Sequence, residues 1–126
     1  MLKRILILLA ATLMTVSAAD RVYELRTYHC YEGKLDALLT RFRDHTTRIF
    51  EKHGMTNVGY WVPLDQKNTL VYLLSYPSRD AAKKAWDEFR SDPEWKKVQT
   101  ASEANGKIVE KVDSVYMSPT DFSKLK

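Results

Sequence analysis

The stretch TLVYLLSY, Thr69–Tyr76, constrains this chain more than any other. Its β-branched and aromatic content, bounded by Asn68 and Pro77, reads as a strand. Side chains in a strand alternate between two faces. In this one both faces are apolar, so both must be covered. A sheet with helices on one side covers only one of them. Something else must lie against the second face.

The rest of the sequence supplies the layer for the first face. Val22–Cys30 reads as a strand, and 34–53 as an amphipathic helix with Leu35, Leu38, Leu39, Phe42, Ile49 and Phe50 at helical spacing. Gly54 stops that helix. A strand over 56–62 ends at Pro63, and a loop leads into Thr69–Tyr76. Ser78 opens a helix over 79–90 with Ala82, Ala85, Trp86 and Phe89 on one stripe. Asp92 as N-cap and Pro93 at the first helical position start another over 93–104. The last strand is 107–117. The order β-α-β-β-α(α)-β implies an α+β, ferredoxin-like fold, a four-stranded antiparallel sheet with helices on one face. The simplest cover for its bare face is a second copy, two sheets facing each other in a homodimer.

Residues 1–19 are a separate object. Lys3 and Arg4 precede a mostly apolar run, and Val16-Ser-Ala-Ala19 is a small-residue cleavage zone, the layout of a secretory signal peptide. Cleavage near Ala19 leaves a single domain over 20–118 and a polar tail over 119–126, expected to be extended or loose. The destination is the periplasm or the exterior, with no membrane attachment after cleavage. Loss of Lys3 and Arg4 leaves 18 basic against 16 acidic side chains, net +2 in place of +4. These charges are interspersed and form no nucleic-acid stripe. The single cysteine, Cys30, excludes an internal disulfide and is expected to be buried in its strand.

Three motifs in order carry a family resemblance. Tyr23-Glu-Leu-Arg-Thr-Tyr28 followed by Gly33, then Gly59-Tyr60-Trp61, then Asp92-Pro93-Glu94-Trp95 resemble the NIPSNAP family over roughly 22–117. The resemblance implies a dimeric α/β barrel, in a superfamily that also holds cofactor-free monooxygenases and haem-binding relatives. It implies no settled reaction.

Two places in such an architecture can hold a ligand: the space between two sheets, and a pocket between sheet and helices. Glu24, Arg26 and Tyr28 alternate along the first strand. With Leu25, Thr27 and His29 assigned to the helices, that charged row points at the partner sheet as a structural or dimer layer, Arg26 pairing with Glu24, Glu110 or Asp113. A ligand-binding role for the row is the alternative. His45 then lies on or beside the inward stripe of the first helix, converging on His29 in an intrasubunit pocket with Tyr60, Trp61 and Trp86 as walls. An imidazole there can serve as a base, a hydrogen-bond donor or an axial haem ligand, and it can equally be a satisfied half-buried histidine.

Asn57 and Trp61 are read as sharing one face of the second strand. The resemblance to cofactor-free monooxygenases implies that such a pair holds a phenolic substrate, with His45 the candidate base. No metal-ligand spacing, hydrolase elbow or glycine-rich phosphate loop is present. The leading expectation is an exported homodimer that binds a small apolar or aromatic ligand without a cofactor. A cofactor-free oxygenase, a haem protein and a pure assembly module are the alternatives.

Overall fold

The computed structural model describes residues 20–126. The segment 1–19, read as a signal peptide, lies outside the described residues. The order is β1 (Val22–Cys30), α1 (Leu35–Arg41), a π-helical turn (Phe42–Thr46), α2 (Thr47–Lys52), β2 (Thr56–Trp61), β3 (Thr69–Tyr76), α3 (Arg79–Ser91), α4 (Pro93–Ser102) and β4 (Val109–Met117). All strand pairs are antiparallel, in the order β2-β3-β1-β4. This is the ferredoxin-like α+β fold, with α1 to α4 on one face. Among the described residues no helix is long and apolar enough to cross a membrane.

The helix starts follow from side-chain chemistry. Ser78 accepts from the Ala81 amide at 3.0 Å and caps α3. Asp92 accepts from the Glu94 amide at 2.8 Å and caps α4, with Pro93 where its missing N–H is harmless. The first helix departs from the expected regular 34–53. At its centre the Thr46 hydroxyl donates to the Arg41 carbonyl at 3.3 Å, and Thr47 donates to Phe42 at 3.1 Å. Both bonds reach five residues back, the offset of a π turn.

That turn seats Thr46 in the core and leaves His45 exposed. The inward stripe then continues through Ile49 and Phe50, which meet Tyr72, Leu74 and Trp86. Phe50 stands 5.4 Å from Trp86 and 4.9 Å from Phe89 between ring centroids. The middle of the sheet–helix layer is therefore filled by protein.

The register reverses the expected faces of β1. Arg26 lies opposite Tyr72 and Tyr28 opposite Leu70, and both partners belong to the helix-side core. Glu24, Arg26 and Tyr28 therefore face the helices together with Cys30, which is buried as expected. Leu25, Thr27 and His29 face away. The reason is local neutralisation: Glu24 and Arg26 pair at 2.7 Å, and tyrosine hydroxyls and an indole N–H complete their hydrogen bonding.

The outer face of the sheet carries Leu25 and Val71 in the middle, with Trp61 and Val115 each 55 % exposed. One end is partly covered by the C-terminal tail, whose Pro119 and Leu125 line a small cavity with Tyr23 and Leu73. The tail turns back on itself there, with the Ser123 amide donating to the Thr120 carbonyl at 3.1 Å. It is less extended than its polar sequence suggests.

Candidate functional site

The centre of the site is a carboxylate with four donors. Glu24 is 1 % exposed. Its Oε1 accepts from Tyr76 at 2.6 Å and Trp86 Nε1 at 2.7 Å. Its Oε2 accepts from Arg26 at 2.7 Å and Ser114 at 2.6 Å. Burial by itself pushes the Glu24 carboxyl up; the bonds from Ser114, Tyr76 and Arg26 outweigh it and hold the pKa below its usual 4.5. Glu24 is therefore a fixed anion with no lone pair left for proton transfer.

Its work is to hold Arg26. Arg26 Nε donates to the Tyr72 hydroxyl at 2.8 Å, and the guanidinium lies 4.1 Å from the Trp86 ring centroid. Burial opposes the Arg26 charge, but the oxygens of Tyr28, Tyr72 and Glu24 raise its pKa overall. Burial likewise pushes the Tyr72 and Tyr76 phenols up, so both stay protonated, Tyr76 donating to Glu24 and Tyr72 accepting from Arg26.

Glu24, Arg26 and Trp86 form the floor of an open pocket of about 370 Å³ between α3 and β4. Tyr116 and Ser114 of β4 form one wall, and α3 forms the other. At the rim Arg79 stacks 3.5 Å over Tyr116, and Arg90 lies 5.1 Å over Trp86. Neither has an acidic partner within ion-pair distance among the described residues, whereas Lys83 pairs with Asp87 at 3.1 Å. The pocket thus joins an aromatic floor and an aromatic wall, each faced by a guanidinium, to two arginines free of ion pairs, with the carboxylates of Asp80 and Asp87 also in its lining.

The other residues singled out in the sequence do not assemble. His29 lies on the outer sheet face, where its Nε2 meets Asp113 at 2.9 Å. His45 lies on the far side of the helix layer, in a groove beside α4. Sheet and helices separate the two, so they share no pocket and cannot hold one iron together. Asn57 and Trp61 also part company. A bulge between Asn57 and Gly59 shifts the register. Asn57 and Tyr60 then share the helix side, where Tyr60 donates to Asn57 Oδ1 at 2.5 Å and stacks 5.1 Å from Tyr72. Trp61 emerges on the outer face, folded over Gly59. Asn57 Nδ2 is already committed to the Thr47 carbonyl at 2.9 Å. His45, Asn57 and Trp61 therefore cannot act on one substrate within a subunit.

Of the residues named for ligand contact, Trp86 lines the pocket, with Arg26 and Glu24 from the charged row beneath it. Sequence reasoning missed Ser114, Tyr116, Arg79 and Arg90. The arginines carried a signal, since they flank the apolar stripe of α3 beside Trp86. Ser114 and Tyr116 carried none until β4 had been placed beside β1. Among the described residues no group of three or more His, Cys, Asp or Glu side chains is arranged to hold a metal ion.

Comparison with known proteins agrees with the fold. A NIPSNAP family protein of unknown function from Agrobacterium tumefaciens is similar at TM-score 0.74 and 25 % identity, over 85 % of this chain and 95 % of that one. A second NIPSNAP family protein from the same organism gives TM-score 0.75 at 21 % identity, covering 85 % of this chain and 100 % of its own. A putative antibiotic biosynthesis monooxygenase from Chloroflexus aurantiacus shares the fold at TM-score 0.56 and 10 % identity, over 85 % of this chain and 100 % of that one. No functionally curated protein matches. The NIPSNAP family model matches residues 23–124, nearly all of the described chain. This chain belongs to the NIPSNAP family.

Proposed function

We propose that this domain is an exported homodimer that binds a small planar carboxylic acid in the pocket between α3 and β4 of each subunit. One observation carries the ligand reading. A buried ion pair holds Arg26 over Trp86 at the base of an open pocket, while Arg79 and Arg90 stand at its rim with no acidic partner within ion-pair distance among the described residues. The aromatic walls favour a flat ring, and the arginines favour a carboxylate in bidentate contact. Farther in, Phe50 and Trp86 meet edge to face at 5.4 Å between ring centroids.

Benzoate is the probe. Titration followed by tryptophan fluorescence is expected to saturate, because Trp86 forms the floor. Arg79→Ala and Arg90→Ala should each weaken binding by about three- to tenfold, the worth of one partly exposed charged contact. Benzyl alcohol, of like shape and no charge, should bind more weakly than benzoate. Equal binding of the two, or wild-type affinity in both arginine variants, defeats the proposal. The sheet-to-sheet dimer is supported by the exposed apolar outer face of a sheet whose third strand is apolar on both sides.

A further inference from the structure

A second site lies on the opposite side of the helix layer. The first helix and α4 enclose a groove of about 760 Å³, larger than the pocket under α3. Ala37, Val98 and Ala101 line it between charged groups. Its length along α4, from Glu94 to Ser102, is about 12 Å at 1.5 Å per residue.

Arg41 forms part of this lining, and its condition is unlike that of Arg26. Its side chain is only 4 % exposed, and its nearest acid, Glu103, stands 3.8 Å away. Nη1 donates to Ser102 at 3.2 Å, while Nε is the one buried side-chain atom without a hydrogen-bond partner among the described residues. A buried guanidinium with an orphaned N–H is costly and calls for an explanation, even with the Trp95 ring 5.2 Å away. Of the other charges in the lining, Arg48 is closed on Glu94 at 2.6 Å, whereas Lys97 and Asp36 have no partner within ion-pair distance among the described residues. Arg41 also ends α1 at the π turn, and its carbonyl accepts from Thr46. Irregular turns of this kind recur at ligand sites.

We propose that this groove binds a single-chain amphiphilic carboxylate, its headgroup on Arg41 beside Lys97 and its acyl chain along Ala37, Val98 and Ala101. On binding, a turn about the last torsions of Arg41 exchanges the long contacts to Ser102 and Glu103 for a two-pronged pair with the carboxylate.

Dodecanoate, kept below its micelle concentration, is the probe, with calorimetry on the full domain as the readout. One saturable site per chain is expected. Arg41→Met should weaken it about tenfold, as loss of one charged hydrogen-bonded pair does. Ala101→Trp fills the groove from an exposed position, leaves Arg41 in place, and should weaken binding at least as much. Dodecanol and acetate, each lacking one half of the ligand, should bind at least tenfold more weakly. Saturating benzoate should leave dodecanoate affinity unchanged, which separates this site from the pocket under α3. Absence of a saturable site, dodecanol binding as well as dodecanoate, displacement by benzoate, or wild-type affinity in a folded Ala101→Trp variant overturns the proposal.

Discussion

At the scale of single residues, Glu24 decides how the rest of the site stands. Its four donors come from β1, β3, α3 and β4, so one carboxylate ties the sheet to the helix layer. Glu24→Gln leaves the Arg26 charge buried without its counter-ion, and a loss of about 3 kcal/mol is expected in chemical denaturation. A loss below about 1 kcal/mol would mean that the pair is replaceable by neutral groups. The same carboxylate sets a pH dependence. Its folded pKa lies below the unfolded value, so its contribution is complete above about pH 4.5 and fades as pH falls through the folded value. Wild-type stability should therefore decline with acid below that point more steeply than in Glu24→Gln. Parallel acid limbs in the two proteins would remove Glu24 as the source.

The residue scale is also where sequence was least informative. On β1, the rule that apolar side chains seek the core assigned Leu25, Thr27 and His29 to the helices, and the structure places Glu24, Arg26 and Tyr28 there. The partners that make this burial tolerable, Tyr76, Trp86 and Ser114, lie 52, 62 and 90 residues along the chain from Glu24. No local pattern encodes them. A single clue existed: Cys30, expected to be buried, has the same strand parity as the charged row.

Among the secondary-structure elements, kinds and order were legible, and irregularities were not. The caps at Ser78 and Asp92 and the runs Val22–Cys30 and Thr69–Tyr76 follow from composition and turn chemistry alone. The β2 bulge and the π turn depend on packing, and each moved a candidate residue: Trp61 away from Asn57, and His45 out of the core. The bulge makes its own prediction. A Cβ on Gly59 would stand 2.5 Å from Trp61 Cη2, yet that ring is half exposed and can swing away. Gly59→Ala should cost about 1 kcal/mol by overpacking, and Trp61→Ala should cancel most of that cost. Thermal or urea unfolding of the two single variants and the double variant measures the coupling. Strict additivity would show that the indole does not crowd Gly59.

For the molecule as a whole, the outer sheet face dominates. Leu25, Val71, Trp61 and Val115 give it an apolar patch, and the tail covers only the end near Tyr23 and Leu73, which supports the proposed dimer. Light scattering at micromolar concentration is expected to give twice the chain mass. Val115→Lys, on an exposed position of edge strand β4, should shift the protein to monomer with little loss of secondary structure. A wild-type monomer would leave the outer face without the proposed cover. The ferredoxin-like layer was readable because it repeats the apolar stripes of each element. The proposed second copy rests in the sequence on one strand, Thr69–Tyr76, read as apolar on both faces.

The π turn beside Arg41 also ties a side chain's direction to the number of residues in its helix. A π turn accommodates one residue more than the α turn it replaces. Removing that residue would restore a regular helix and rotate Arg41 relative to Ile49 and Phe50 by about 100°, one step of a 3.6-residue turn. Family members that are one residue shorter between the positions of Leu38 and Ile49 should therefore lack a buried arginine at this place. A single-residue gap in an alignment would then report which relatives keep the groove.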